Sequence, residues 1–164
     1  MRVLLIRHGE SVDPYEAASD SERWLTARGR STVRSVSALA AEHGIRLDRI
    51  FTSPLVRAVQ TAEILALATS FDGALEVWRD LASGTTARAL ASLDRAEPGE
   101  VVALVGHEPL IRAMTAHLVG DARFPGYLPG MLAVVAASGA RHVFEWAIDP
   151  TEARRVDRVE DLRR

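Results

Sequence analysis

Apolar positions along this chain switch between two periods. Residues 3–6, VLLI, form an unbroken apolar run and predict a buried strand over 2–6. Residues 26–43 instead place Val33, Val36, Leu39 and Ala40 on one face at helical spacing, with Gly44 as the stop signal. Residues 49–52 read as a short strand. Ser53 and Pro54 then offer a cap and a first-turn proline for a helix reaching about residue 67, with Leu55, Val59, Ala62 and Leu65 inward. A strand over 75–77, a helix over 85–93, a Pro98-Gly99 turn, a buried strand over 101–105 and a helix over 109–119 follow.

Strands that lack polar alternation, interleaved with helices, predict an α/β three-layer sandwich: a mostly parallel central sheet with helices on both faces. Residues 132–137 and 142–148 flank Ser138-Gly139-Ala140-Arg141 and predict a C-terminal antiparallel hairpin at the sheet edge. Residues 1–150 form a single expected domain. The segment 151–164, TEARRVDRVEDLRR, reads as a charged tail, either a short helix or a loose end. No internal repeat or linker interrupts this order.

Composition narrows the function. At 164 residues and 48% apolar content the chain suffices for one domain with a sizeable core. Its 20 basic and 22 acidic residues are evenly mixed, which argues against a nucleic-acid or membrane surface and for a local partner. With no cysteine, disulfides, zinc-thiolate sites and a thiol nucleophile are excluded, and a reducing compartment fits. No segment approaches the roughly 18 apolar residues of a membrane span, and no apolar leader stands at the N-terminus, so the expected setting is cytoplasmic. Every cationic side chain is Arg. That pattern reads mainly as codon bias, although Arg suits bidentate recognition of oxyanions.

Open α/β sheets bind ligands beyond the carboxyl ends of their strands, and the predicted order delivers specific polar residues there. Arg7 and His8 follow the first strand, Arg57 sits at the start of the helix after Ser53-Pro54, and His107 follows VVALVG. A helix beginning at Pro109 would turn its positive end toward the same rim. Two guanidinium forks and two imidazoles around one point suit a tetrahedral dianion such as a phosphoryl group. Gly9 and Gly106 would permit close backbone approach. An imidazole is largely neutral and nucleophilic near neutral pH, so the first strand ends in a nucleophile beside its own phosphate clamp.

The stretches LLIRHGES, LTARGR, FTSPLVRAVQTAE and ALVGHEPL, in this order, resemble the histidine phosphatase superfamily, with its phosphoglycerate mutase-like fold. The resemblance implies a phosphate pocket of Arg7, His8, Arg57 and His107, with His8 transiently phosphorylated. It also points to the loop of WRDLASG for a proton donor, where Asp80 stands in place of the Glu of many members. Gly9, Ser11 and Glu108 are further candidates for binding the phosphate group. No cofactor is implied. A metal-hydrolase reading using the two histidines with Asp80 or Glu108 lacks any ligand spacing such as HExxH. His43, His117 and His142 read as structural or exposed.

Only some twenty residues separate Asp80 from Val101, which leaves no room for a lid and resembles the small SixA-type phosphohistidine phosphatases. Three functions follow as expectations. The first is removal of a phosphoryl group from protein phosphohistidine or a small activated phosphate; the second is a broad phosphomonoesterase using Asp80 as general acid. The third is a phosphate-recognition module without turnover, against which the intact His8 argues. The expected partner is a phosphorylated protein or a small phosphate-containing substrate.

Overall fold

The computed structural model describes residues 1–139 and 141–162. Its frame is a seven-stranded sheet in the order β3-β2-β4-β1-β5-β6-β7. The strands are β1 (Arg2–Arg7), β2 (Arg49–Thr52), β3 (Leu75–Val77), β4 (Val101–Gly106), β5 (Leu132–Ser138), β6 (Arg141–Asp149) and β7 (Arg154–Val156). Strands β3, β2, β4 and β1 run parallel, and β5, β6 and β7 continue the sheet antiparallel. The α/β sandwich is as expected, including the antiparallel β5–β6 hairpin, but β7 rather than the hairpin forms that edge of the sheet. The expected turn of that hairpin includes Ala140, which lies outside the described residues.

The apolar run of β1 is continuous because both faces of the sheet are covered. Leu4 and Ile6 point into one core, with Ile50, Ala103, Val105 and Val134 beneath α1 (Ala27–Glu42) and α2 (Val56–Ala68). Val3 and Leu5 point into the other, with Phe51, Val102 and Leu104 beneath α5 (Leu110–Val119), which contributes Ile111 and Met114. Alternation along a strand thus sorts apolar side chains between two cores rather than between core and solvent.

Several boundaries differ from the sequence reading. Helix α2 starts at Val56 with Leu55 as its cap, and its buried face runs through Arg57, Ala58, Thr61, Ala62 and Leu65; Leu55 and Val59 are only half-buried. Pro109 is the cap of α5 rather than its first residue. The segment expected as one helix over 85–93 is α4 (Thr86–Leu90) running into a 3-10 turn, Ala91–Arg95, and a further turn of helix, α3 (Asp80–Ser83), precedes it. Within the charged tail, Arg154–Val156 pairs with β6 and buries Val156, followed by a 3-10 turn at Val159–Leu162. The charges of that tail mask apolar anchors: Val156 is buried, and Val159 and Leu162 pack half-buried against the core.

Candidate active site

Strands β2, β4 and β1 are neighbours and parallel, so their carboxyl ends emerge side by side. Arg7 pairs in register with Gly106, and the chain stays tied just beyond: His8 N donates to Gly106 O at 3.0 Å, and Ser53 N to Val105 O at 3.0 Å. Positions far apart in sequence therefore meet at one rim, the imidazoles of His8 and His107 among them, with ring centroids 4.8 Å apart.

The backbone fixes the chemistry of His8. Its Nδ1 lies 2.7 Å from Gly9 O, an acceptor only, so Nδ1 carries the hydrogen and Nε2 keeps its lone pair. Burial above all lowers the His8 pKa to about 4, the Arg57, Arg7 and Arg23 charges act in the same direction, and the Gly9 bond opposes them. The ring is neutral at cellular pH. His107 is lowered to about 3, first by burial and then by His8 and Arg57, with Asp20 opposing. Its Nε2 is 2.7 Å from Ser53 Oγ, while Nδ1 is buried with no hydrogen-bond partner.

The cations are held from behind. Arg7 Nη1 donates to Tyr127 O at 2.5 Å, and Arg7 Nε is buried without a partner. Burial lowers the Arg7 pKa and the Glu108 carboxylate counters it. Arg57 is 7% exposed, and it donates through Nη1 to Asp20 O at 2.6 Å and through Nη2 to Asp20 Oδ2 at 3.0 Å.

The remaining candidates are placed differently from one another. Gly9 N donates to Thr61 Oγ1 at 3.2 Å, and a Cβ at Gly9 would stand 2.7 Å from Val33 Cγ2. Its smallness thus serves packing against α1 rather than a turn around the ligand. Gly106 is likewise a packing position, where a Cβ would lie 3.3 Å from Leu81 O. Ser11 pairs through its backbone with Leu25 in an isolated bridge. Glu108 Oε1 accepts from Tyr127 N at 2.9 Å, fastening the segment whose carbonyl receives Arg7. Asp80 begins α3 and pairs with Arg88, Oδ1 to Nε 3.0 Å. The residues after it, Ala82 to Thr86, face His107, Glu108 and Arg112 across an open cleft of about 510 Å³.

Three participants escape a reading based on strand ends. Ser53, expected only as a helix cap, orients His107. Asp20 and Arg23 arrive from a 3-10 turn, Asp20–Glu22, in the segment between β1 and α1. The signal available was their acid-base pairing at i and i+3 in SDSER, which is common on solvated turns. Among the described residues, no group of three or more His, Cys, Asp or Glu side chains is placed to hold a metal ion.

Comparison with known proteins bears on the chain as a whole. Residues 3–83 match the model of the histidine phosphatase superfamily, branch 1. An uncharacterised protein of Picosynechococcus is 38% identical over 112 residues, 66% of this chain and 67% of that protein. The phosphohistidine phosphatase SixA of Escherichia coli is 27% identical over 154 residues, 92% of this chain and 94% of that protein. A solved structure of the protein histidine phosphatase SixA complexed with tungstate superposes with a TM-score of 0.85 at 27% identity, covering 94% of this chain and all of that one. With the strand-end geometry and these similarities together, the chain belongs to the histidine phosphatase superfamily.

Proposed function

We propose that this phosphatase hydrolyses phosphohistidine on a protein partner through a covalent phosphoryl group on His8. The observation that carries the reading is the His8 ring itself: neutral, with Nδ1 bonded to Gly9 O and Nε2 left as the nucleophile, beside two arginines and a second imidazole. In the first displacement His8 Nε2 bonds to phosphorus as the bond to the substrate nitrogen breaks, and the substrate imidazole leaves. In the second, water attacks phosphorus, His8 recovers its lone pair and inorganic phosphate departs. Arg7, Arg57 and His107 hold the equatorial oxygens, where charge is stabilised in phosphoryl transfer.

The choice of substrate follows from proton supply. An alkyl ester requires protonation of its leaving oxygen, whereas an imidazole protonated before cleavage leaves as a neutral ring. Asp80 pairs with Arg88. Asp20, a carboxylate closer to the imidazoles in effect, has its pKa lowered by its hydrogen bonds to Arg23 and Arg57, which keeps it ionised and unfit as an acid. The cleft beside His107 is open enough to receive a side chain presented by a folded protein. The cysteine-free composition is compatible with a cytoplasmic setting, and among the described residues no helix is long and apolar enough to cross a membrane.

The test is a substrate panel combined with trapping. A phosphohistidine peptide should be turned over much faster than sugar phosphates. Rapid quenching during turnover should capture acid-labile, base-stable phosphate on the wild-type chain and none on His8→Ala. Full turnover by His8→Ala would sink the covalent route, and a preference for sugar phosphates would replace the substrate class.

A further inference from the structure

We propose that Arg23 is a third guanidinium of the phosphoryl site and that Asp20 is the positioning residue that holds it and Arg57 together. The inference rests on the covalent route through His8 just described and adds to it two residues from outside the strand ends.

A single carboxylate bridges two cations here. Asp20 Oδ1 accepts from Arg23 Nη1 at 3.0 Å, and Asp20 Oδ2 accepts from Arg57 Nη2 at 3.0 Å. Two main-chain carbonyls complete the frame: Asp20 O takes Arg57 Nη1 at 2.6 Å, and Val12 O takes Arg23 Nε at 2.7 Å. Arg23 is thereby immobilised at its Nε and one terminal nitrogen, and its side chain is only 21% exposed, unlike the 62% of Asp20. An arginine needed only for solubility would not be held this way. Its charge also reaches the nucleophile, since Arg23 acts on His8 in the same sense as Arg57 and Arg7.

The charge balance supports the division of labour. Three guanidiniums against a dianion and one carboxylate sum to zero, so Asp20 offsets the repulsion between Arg23 and Arg57 without filling the pocket's need for an anion. Fixing long side chains before the substrate arrives lowers the entropic cost of binding the transition state. Asp20 touches the arginines and not the reacting atoms, so it acts through them.

Tungstate titration by calorimetry, with kcat and KM on a phosphohistidine peptide, separates these roles. Arg23→Ala should weaken tungstate binding about tenfold or more, the scale of one charged hydrogen bond, and Arg23→Lys should recover only part because it lacks the fork. Arg23→Gln, which keeps an amide donor for Val12 O, guards against a folding artefact and should show the same loss. Asp20→Asn should lower kcat about tenfold while tungstate binding holds or tightens, because a negative charge leaves the neighbourhood. A parallel loss of both kcat and tungstate binding in Asp20→Asn would mark a merely structural residue and overturn its assignment. Arg57→Ala serves as the reference: if it loses tungstate and the Arg23 variants do not, the third guanidinium is refuted while the His8 site stands. If neither loses tungstate, the oxyanion does not bind here and the proposed function fails with the inference.

Discussion

His107 Nε2 and Ser53 Oγ lie 2.7 Å apart and bind the end of β4 to the end of β2, its neighbour in the sheet. Both residues are buried, and the hydroxyl fixes the plane of an imidazole whose other nitrogen has no hydrogen-bond partner. Ser53→Ala should therefore leave a buried ring nitrogen unsatisfied, at a cost of about 1–3 kcal/mol. Because the ring would also lose its orientation toward the phosphoryl oxygens, kcat should fall about tenfold with less change in KM. Steady-state kinetics decide: a rise in KM with unchanged kcat would show that the pair serves ground-state binding instead.

The two imidazoles should titrate far below an ordinary histidine. Carbon-13 NMR of labelled histidine should show His8 with a midpoint near 4 and His107 near 3, both assigned through His→Asn variants. The sign for stability follows. The unfolded rings bind protons near pH 6.5, where the folded rings still refuse them. Stability therefore rises with pH between about 4 and 6.5, by up to about 1.4 kcal/mol per unit for each ring, and falls on acidification. Urea melts across that window check the slope. His8→Asn should flatten it, and a midpoint near 6.5 for either ring would contradict the burial that sets these values.

The LTARGR stretch makes a prediction about fold and site together. Helix α1 begins with Thr26 as its cap, Oγ1 accepting from Gly29 N at 2.9 Å, while Thr26 N donates to Glu10 O. A Cβ at Gly29 would stand 2.1 Å from that same Glu10 O. Gly29→Ala gains at most about 1 kcal/mol of helix propensity, but it forces backbone apart, and overpacking costs about 1–3 kcal/mol. Overpacking wins. The urea midpoint should fall, and activity with it, because the displaced strand-end segment carries His8 and Gly9. A variant as stable and active as wild type would mean that α1 shifts without cost.

How much of this was legible follows from where each interaction lives. The strand-end residues Arg7, His8 and His107 were readable because an apolar run stops at them, and parallel neighbouring strands must then bring them together. Arg57 was readable through its place at a strand-to-helix junction, although its buried environment was not: α2 turns a face of Arg57, Ala58, Thr61 and Ala62 inward, which small and polar residues conceal in an apolar pattern. Asp20 and Arg23 sit on a segment with no period at all, and only tertiary contact reveals which solvated-looking charges are held. The β7 pairing was hidden similarly, its one buried residue, Val156, being surrounded by charges.

Asp80 separates the phosphohistidine reading from a general phosphomonoesterase. As a general acid it would have to give a proton to a leaving oxygen, and Asp80→Asn would then depress alkyl phosphate hydrolysis by about 10²-fold or more while sparing substrates with good leaving groups. The observed pairing of Asp80 Oδ1 with Arg88 Nε at 3.0 Å works against that role, because it commits a carboxylate oxygen to the guanidinium rather than to a leaving group. Arg88 is largely exposed, so the pair contributes little to stability and its breakage should leave the fold intact. The expected outcome is weak alkyl phosphate activity in the wild type, and phosphohistidine turnover within about threefold of wild type in both Asp80→Asn and Arg88→Ala. Arg88→Ala is the sharper variant. If freeing Asp80 from its partner creates strong sugar-phosphate hydrolysis that Asp80→Asn then abolishes, the carboxylate is a latent acid and the substrate class must be redrawn around esters.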